Sequence, residues 1–174
     1  FGHARWREPE QEAADAALQR PHRVDLRSGT DPGAGRAGVR GDREREGDVH
    51  LARRYLGQIE YAKLDPEQAS YYLLFTARLA EAEGRVQEAL DGYGQVIAAD
   101  IRPTRAEAVY RTLLVLDHEG KLDLGKAATT LSAESLLWRG DFLEAGMLQL
   151  LADLYFRNGD YRLGFETVQQ AVEF

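Results

Sequence analysis

Apolar residues recur at helical spacing over most of the chain, most clearly in its last 37 residues, Trp138 to Phe174. There Phe142, Leu143, Met147, Leu148, Leu150, Leu151, Leu154, Tyr155 and Phe156 mark one helix. Tyr161, Leu163, Phe165, Val168, Ala171 and Val172 mark a second, with the polar turn Arg157-Asn-Gly-Asp-Tyr161 between them. Two helical periods on either side of a short turn describe an antiparallel helix pair.

The same pattern extends upstream. Leu51, Tyr55, Leu56, Ile59 and Ala62 predict a helix capped by Asp48 and stopped at Leu64-Asp65-Pro66. Proline fits the first turn of the next helix, with Asp65 as its cap. That helix runs to about Glu83, with Tyr72, Leu73, Phe75, Thr76, Leu79 and Ala80 predicted to face inward, and Gly84 ends it. Val86 to Ala99 follows, then a break at Asp100-Ile-Arg-Pro103, then Thr104 to His118 ended by Gly120. Leu122 to Trp138 is predicted helical with a weak centre at Thr129, Thr130 and Ser132, which are poorer helix formers.

The turn glycines Gly47, Gly84, Gly120 and Gly159 lie 37, 36 and 39 residues apart. A period in the thirties built of helix–turn–helix units is the signature of a helical solenoid. Two residues after each glycine stands an apolar residue, and five after it a small one: Val49 and Ala52, Val86 and Ala89, Leu122 and Gly125, Tyr161 and Gly164. The glycine admits a left-handed turn, and the small residue lets two helices cross closely.

These residues resemble the tetratricopeptide repeat. Gly159, Tyr161, Gly164, Val168 and Ala171 match its second helix, preceded by Leu148, Leu151, Ala152 and Tyr155 on the first. Gly84, Val86, Ala89 and Tyr93 match nearly as well, while the middle copy places Thr129 and Ser132 where large and small apolar residues belong. The resemblance implies an all-α, right-handed α-solenoid of antiparallel helix pairs, about three and a half repeats over residues 47–174. The turns at Arg102-Pro103 and Trp138-Arg-Gly-Asp141 look more narrowly like large, poorly characterised repeat proteins of alphaproteobacteria. That likeness implies an envelope-associated, periplasm-facing protein with an upstream signal; without it, a cytoplasmic one.

Residues 1–46 depart from the pattern. Glu10 to Arg20 predicts a short alanine-rich helix broken by Pro21, and Arg27 to Gly47 is dense in Gly, Arg, Asp and Pro. With few apolar groups this stretch cannot offset the entropy of ordering and is expected to be disordered or irregular. The repeat lattice calls for a first helix near residues 31–46, where glycine and proline forbid one. The coding frame or chain continuity is therefore expected to be altered upstream of about residue 46. The initial Phe1, with Met147 the sole methionine, predicts a fragment or processed chain. Gln169-Gln-Ala-Val-Glu-Phe174 ends on an apolar pattern without a polar capping helix, which predicts a missing neighbour.

Charge narrows the partners. Residues 1–54 hold 11 Arg against 10 acidic groups; residues 55–174 hold 11 basic and 19 acidic. An acidic body repels nucleic-acid phosphates and anionic lipid, so neither nucleic acid nor direct membrane insertion is expected. With no cysteine, disulfides and thiolate sites are excluded.

No motif predicts catalysis, a cofactor or a metal. Gly33-Ala-Gly-Arg-Ala-Gly38 matches the dinucleotide glycine pattern, but no strand precedes it. Arg40-Gly-Asp42 and Arg139-Gly-Asp141 match the cell-adhesion tripeptide, though Gly140 and Asp141 suit a helix stop and cap. Asp117-His118-Glu119 sits at a helix end with no second histidine at ligand spacing. The expected functional surface is the concave face lined by first-helix residues Tyr71, Leu74, Arg78, Glu81, Glu107, Tyr110, Arg111, Leu114, Gln149 and Asp153. Some members of the family hold a peptide C-terminus there with Lys, Asn and Arg residues. This chain offers only Arg78 and Arg111 of suitable charge. A protein or peptide partner is expected for such a scaffold; the alternative is a structural segment stacking on further repeats.

Overall fold

The computed structural model describes residues 47–102, 104–137 and 142–172. Expectations for residues 1–46, and for the Arg139-Gly-Asp141 turn, lie outside the described residues. Seven α-helices follow one another, with no strand among the described residues. They are α1 (47–56), α2 (Pro66–Ala82), α3 (Val86–Ala99), α4 (Thr104–His118), α5 (Leu124–Ser135), α6 (Phe142–Asn158) and α7 (Tyr161–Val172).

Local chemistry places the helix ends. Asp65 accepts the Gln68 amide at 2.8 Å, while the Gln68 side chain accepts the Asp65 amide at 3.1 Å, a reciprocal cap with Pro66 just inside. Gly84, Gly120 and Gly159 have φ of 74, 66 and 88°. After each, the next amide reaches back to the last helical turn: Arg85 to the Ala80 carbonyl, Lys121 to Leu116 and Asp160 to Tyr155, at 2.8, 2.9 and 2.8 Å. Together with the glycine amides' own bonds to Glu81, Asp117 and Phe156, these are Schellman stops. They put the three turns in structural register.

The first predicted turn behaves otherwise. Residues 47 and 48 are already helical, so Gly47 is not a turn glycine and Asp48 is not the cap. The helix expected to reach Ala62 ends at residue 56. Past Gly57, Gln58 and Ile59 bond only three residues back, to Tyr55 and Leu56, and Ile59 is left exposed. Glycine's poor helix propensity and these tighter bonds stop α1 early.

Helices pack chiefly on their sequence neighbours, and α2 also touches α4. Three apolar clusters result. Ala52, Leu56 and Leu79 join α1 to α2. Leu74, Ala77, Ala89, Tyr93, Val96, Ala108 and Val115 join α2, α3 and α4. Val109, Leu113, Ala127, Leu131, Met147, Leu151 and Leu154 join α4, α5 and α6. Each large side chain so buried contributes about 1.5–3 kcal/mol relative to an exposed one. α2 and α3 nearly touch at Ala77 and Gly92, where an added Cβ would lie 2.8 Å from that of Ala77.

The middle pair corrects two expectations. Gly125, predicted to be the small crossing residue, is exposed. Whereas α3 and α7 start two residues after their glycines, α5 starts four after Gly120, capped by Asp123, which accepts the Lys126 amide at 3.0 Å. Two extra turn residues shift the register. Ala127 and Leu131 therefore fill the places that spacing assigned to Gly125 and Thr129, and Thr129 faces solvent. Thr76, predicted inward, is also exposed, whereas Leu74, Ala77 and Arg78 are buried.

Candidate functional site

Tyr71, Leu74, Arg78 and Glu81 lie at three- and four-residue intervals on α2, so they form one stripe. Glu107, Tyr110, Arg111 and Leu114 form the matching stripe on α4. The two stripes meet. Arg78 Nη1 lies 3.1 Å from Glu107 Oε1, and Arg111 Nη1 lies 3.5 Å from Glu81 Oε1. Arg111 Nε adds a 3.6 Å ion pair with Glu107. From α3, the Tyr93 hydroxyl donates to Glu81 Oε2. Two arginines and two glutamates thus neutralise one another across the α2–α4 contact.

Burial and charge set the ionisation of this cluster. Burial opposes the Arg111 charge, but Glu81 and Glu107 outweigh it and hold the guanidinium pKa above its usual value. The Tyr93 phenol is pushed strongly upward by burial and then by the Glu81 carboxylate. Burial likewise raises the Tyr110 phenol. Both phenols are therefore neutral, and that of Tyr93 donates to Glu81.

The expected site residues do not all stand on an open surface. Leu74 is 1% exposed and belongs to the apolar cluster of α2, α3 and α4. Arg78 is 4% exposed, paired with Glu107 and stacked near the Phe75 ring. These two are corrections to the expected groove lining: α4 lies over them. Tyr71, Glu81, Glu107, Tyr110, Arg111 and Leu114 are half-buried, and Gln149 and Asp153 are exposed on α6. Tyr110 leans on α6 where Gly146 makes room, since a Cβ there would meet its hydroxyl at 3.0 Å.

Sequence reasoning missed three polar links. The Tyr93 contact was hidden because that position reads as apolar. Arg157 grips both oxygens of Asp117 at 2.7 and 2.9 Å and reaches Asp153 at 3.1 Å, tying α6 to α4. Its hydrogen bonds hold the Asp117 carboxyl below the usual carboxylate range. Arg105 bridges Asp100 at 2.8 Å and buried Glu134 at 2.6 Å, joining the end of α3 to α5. Spacing along one helix signals only the Asp153–Arg157 arm of these. Within the Asp117-His118-Glu119 run, Asp117 is held by Arg157 and the His118 side chain is exposed at the helix end.

A second feature lies at the other end of the described chain. Between α6 and α7 opens a cleft of about 450 Å³ lined by Leu148, Gln149, Ala152, Asp153, Phe156 and Val168, among others. Along α7, Tyr161, Leu163, Phe165, Val168 and Val172 are exposed. Among the described residues no helix is long and apolar enough to cross a membrane. The described residues thus form an all-α series of repeat-like helix pairs. No family model matches the chain, and no curated protein matches it.

Proposed function

We propose that this chain is a non-enzymatic helical-repeat scaffold of the tetratricopeptide type, a right-handed α-solenoid whose first-helix face engages an extended or helical peptide. The observation that supports it most is the interlock of Arg78, Glu81, Glu107 and Arg111 across α2 and α4. It supports a rigid surface, beside which Tyr71, Tyr110 and Leu114 remain half-exposed. Aromatic side chains on a rigid frame supply contact area at low entropic cost. The paired charges add no net positive field, so the peptide is recognised by side-chain packing rather than by its terminal carboxylate.

Selection from a displayed peptide library tests this reading. Peptides enriched by the native chain should lose binding at least about tenfold with Tyr110→Ala or Leu114→Ala, as truncating contact residues does. An identical set of peptides retained by both variants would count against the first-helix face.

A second reading, a structural segment stacked on further repeats, is favoured by one observation. The α6/α7 cleft and the bare apolar stripe of α7 are what such stacking would cover.

A further inference from the structure

The Schellman turns allow the helix pairs to be compared residue for residue. Setting Gly84 on Gly159, with Ala80 on Tyr155 and Glu81 on Phe156 as their hydrogen bonds dictate, places Tyr93 on Val168 and Val96 on Ala171. Tyr93 and Val96 are both 0% exposed because α4 covers them with Ala108 and Val115. The corresponding face of α5 is covered as well: Leu131 lies under Met147 and Leu151 of α6. The same face of α7 is more open, with Val168 40% exposed and Ala171 only half-buried.

We propose that the α6/α7 cleft receives one amphipathic α-helix from a partner protein, seated as α4 sits on α2 and α3, with a basic residue opposite Asp153. The seat occupied by α4 in the first pair is the template for the occupant. It requires small and apolar residues where α4 has Ala108 and Val115. The charge requirement is the reverse of the α4 seat. The α2 residue that meets Glu107 is Arg78, 3.1 Å away, and Asp153 stands in its place on α6. Asp153 is the one charged residue among the described lining of the cleft, and because Arg157 is shared between it and Asp117, the trio keeps one net negative charge. An acidic residue at the Glu107 place would therefore be repelled, and a lysine or arginine attracted.

A second copy is a poorer occupant. The seat takes a first-type helix, and α2, α4 and α6 are each already held against their neighbours. The described part of the chain starts with α1, which packs on α2 as α3 packs on α4, so it is of the second type.

The proposal rests on reading the chain as an association module. Its test uses the full chain and a fluorescein-labelled peptide with the sequence of residues 104–118, made with and without Glu107→Lys. By fluorescence anisotropy, the Glu107→Lys peptide should bind about fivefold more tightly, the scale of one partly exposed charge reversal. Asp153→Lys in the chain, an exposed change, should reverse that order. Val168→Asp should weaken both peptides at least about tenfold while circular dichroism shows the fold intact. Binding of neither peptide, or the same order with Asp153→Lys, would overturn the proposal. So would a wild-type dimer in sedimentation that Val168→Asp abolishes, because the occupant would then be a second copy. Loss of this docking with Tyr110-dependent peptide binding retained would sink the docking alone and leave the first-helix face standing.

Discussion

The α2/α3 and α6/α7 pairs share a turn, a spacing and a close crossing, yet one is an interior and the other a surface. In the first, Tyr93 is wholly buried and its hydroxyl is spent on Glu81. In the second, Val168 borders a cleft, and Phe165, Leu163 and Tyr161 face solvent. The difference does not arise within the pairs. It arises from α4, which lies on one pair and has no counterpart on the other among the described residues. A helix pair of this kind therefore supplies only half of its own core.

Truncations at matched positions test this contrast most severely. Tyr93→Ala should cost about 3–5 kcal/mol, as for other large core aromatics cut to alanine. Val168→Ala should cost less than about 1 kcal/mol, because little apolar area is lost from an already wet site. Urea titration followed by circular dichroism measures both, and equal losses would break the distinction.

Crossing glycines give the next largest effect. Gly92→Val should cost about 1–3 kcal/mol, since the added carbons meet the Ala77 Cβ, which moves only if its helix moves. Gly164→Val should cost less: the obstruction there is the half-buried Phe156 ring, which can rotate toward the open cleft. A larger loss at Gly164 would mean that the α6/α7 cleft is more rigid than its exposure implies.

Charges separate the pairs by a smaller margin. Tyr93→Phe should lose about 1.5 kcal/mol, the low end for a hydrogen bond to a charged acceptor. Asp153→Ala should change stability by under about 0.5 kcal/mol, because its contact with Arg157 is exposed and screened. Matched thermal melts in low and high salt would show the second effect vanish and the first persist.

The pH profile should carry the smallest signals, one at each end. Asp117 has a folded pKa below its unfolded value, so its contribution is complete above about pH 4 and is lost as pH falls through the folded pKa. Arg157→Ala should flatten that acid limb. Tyr93 has its folded pKa raised, so stability is complete below about pH 10 and declines above it, as the unfolded chain releases a proton that the fold retains. Tyr93→Phe should flatten the alkaline limb and leave the acid one unchanged.

Much of the helix framework was legible because its signals are local. Asp65-Pro66, Gly84, Gly120 and Gly159 act through hydrogen bonds within a few residues, and they bound α2, α3 and α4 as spacing predicts. The middle pair was misread for an equally physical reason. Leu122 stands two after Gly120 as Val86 stands two after Gly84, so the local pattern fits either register. The Asp123 cap and the burial of Ala127 and Leu131 against α4 and α6 select the later one. The candidate face was legible as two stripes, but not as a neutral ion cluster.

Sequence alone thus determined where α2, α3 and α4 start and stop, because those choices cost or gain free energy within one or two turns of chain, while it misplaced the end of α1 and the start of α5. Tertiary structure decided which face of each helix is interior. Arg78, charged and four residues from Leu74, is indistinguishable by spacing from a solvent-facing arginine; α4 brings Glu107 to it and closes the water out. Val168 has the spacing of a core residue and remains wet because no described helix arrives. Burial is a property of what lies opposite, and a one-dimensional pattern does not contain its opposite side.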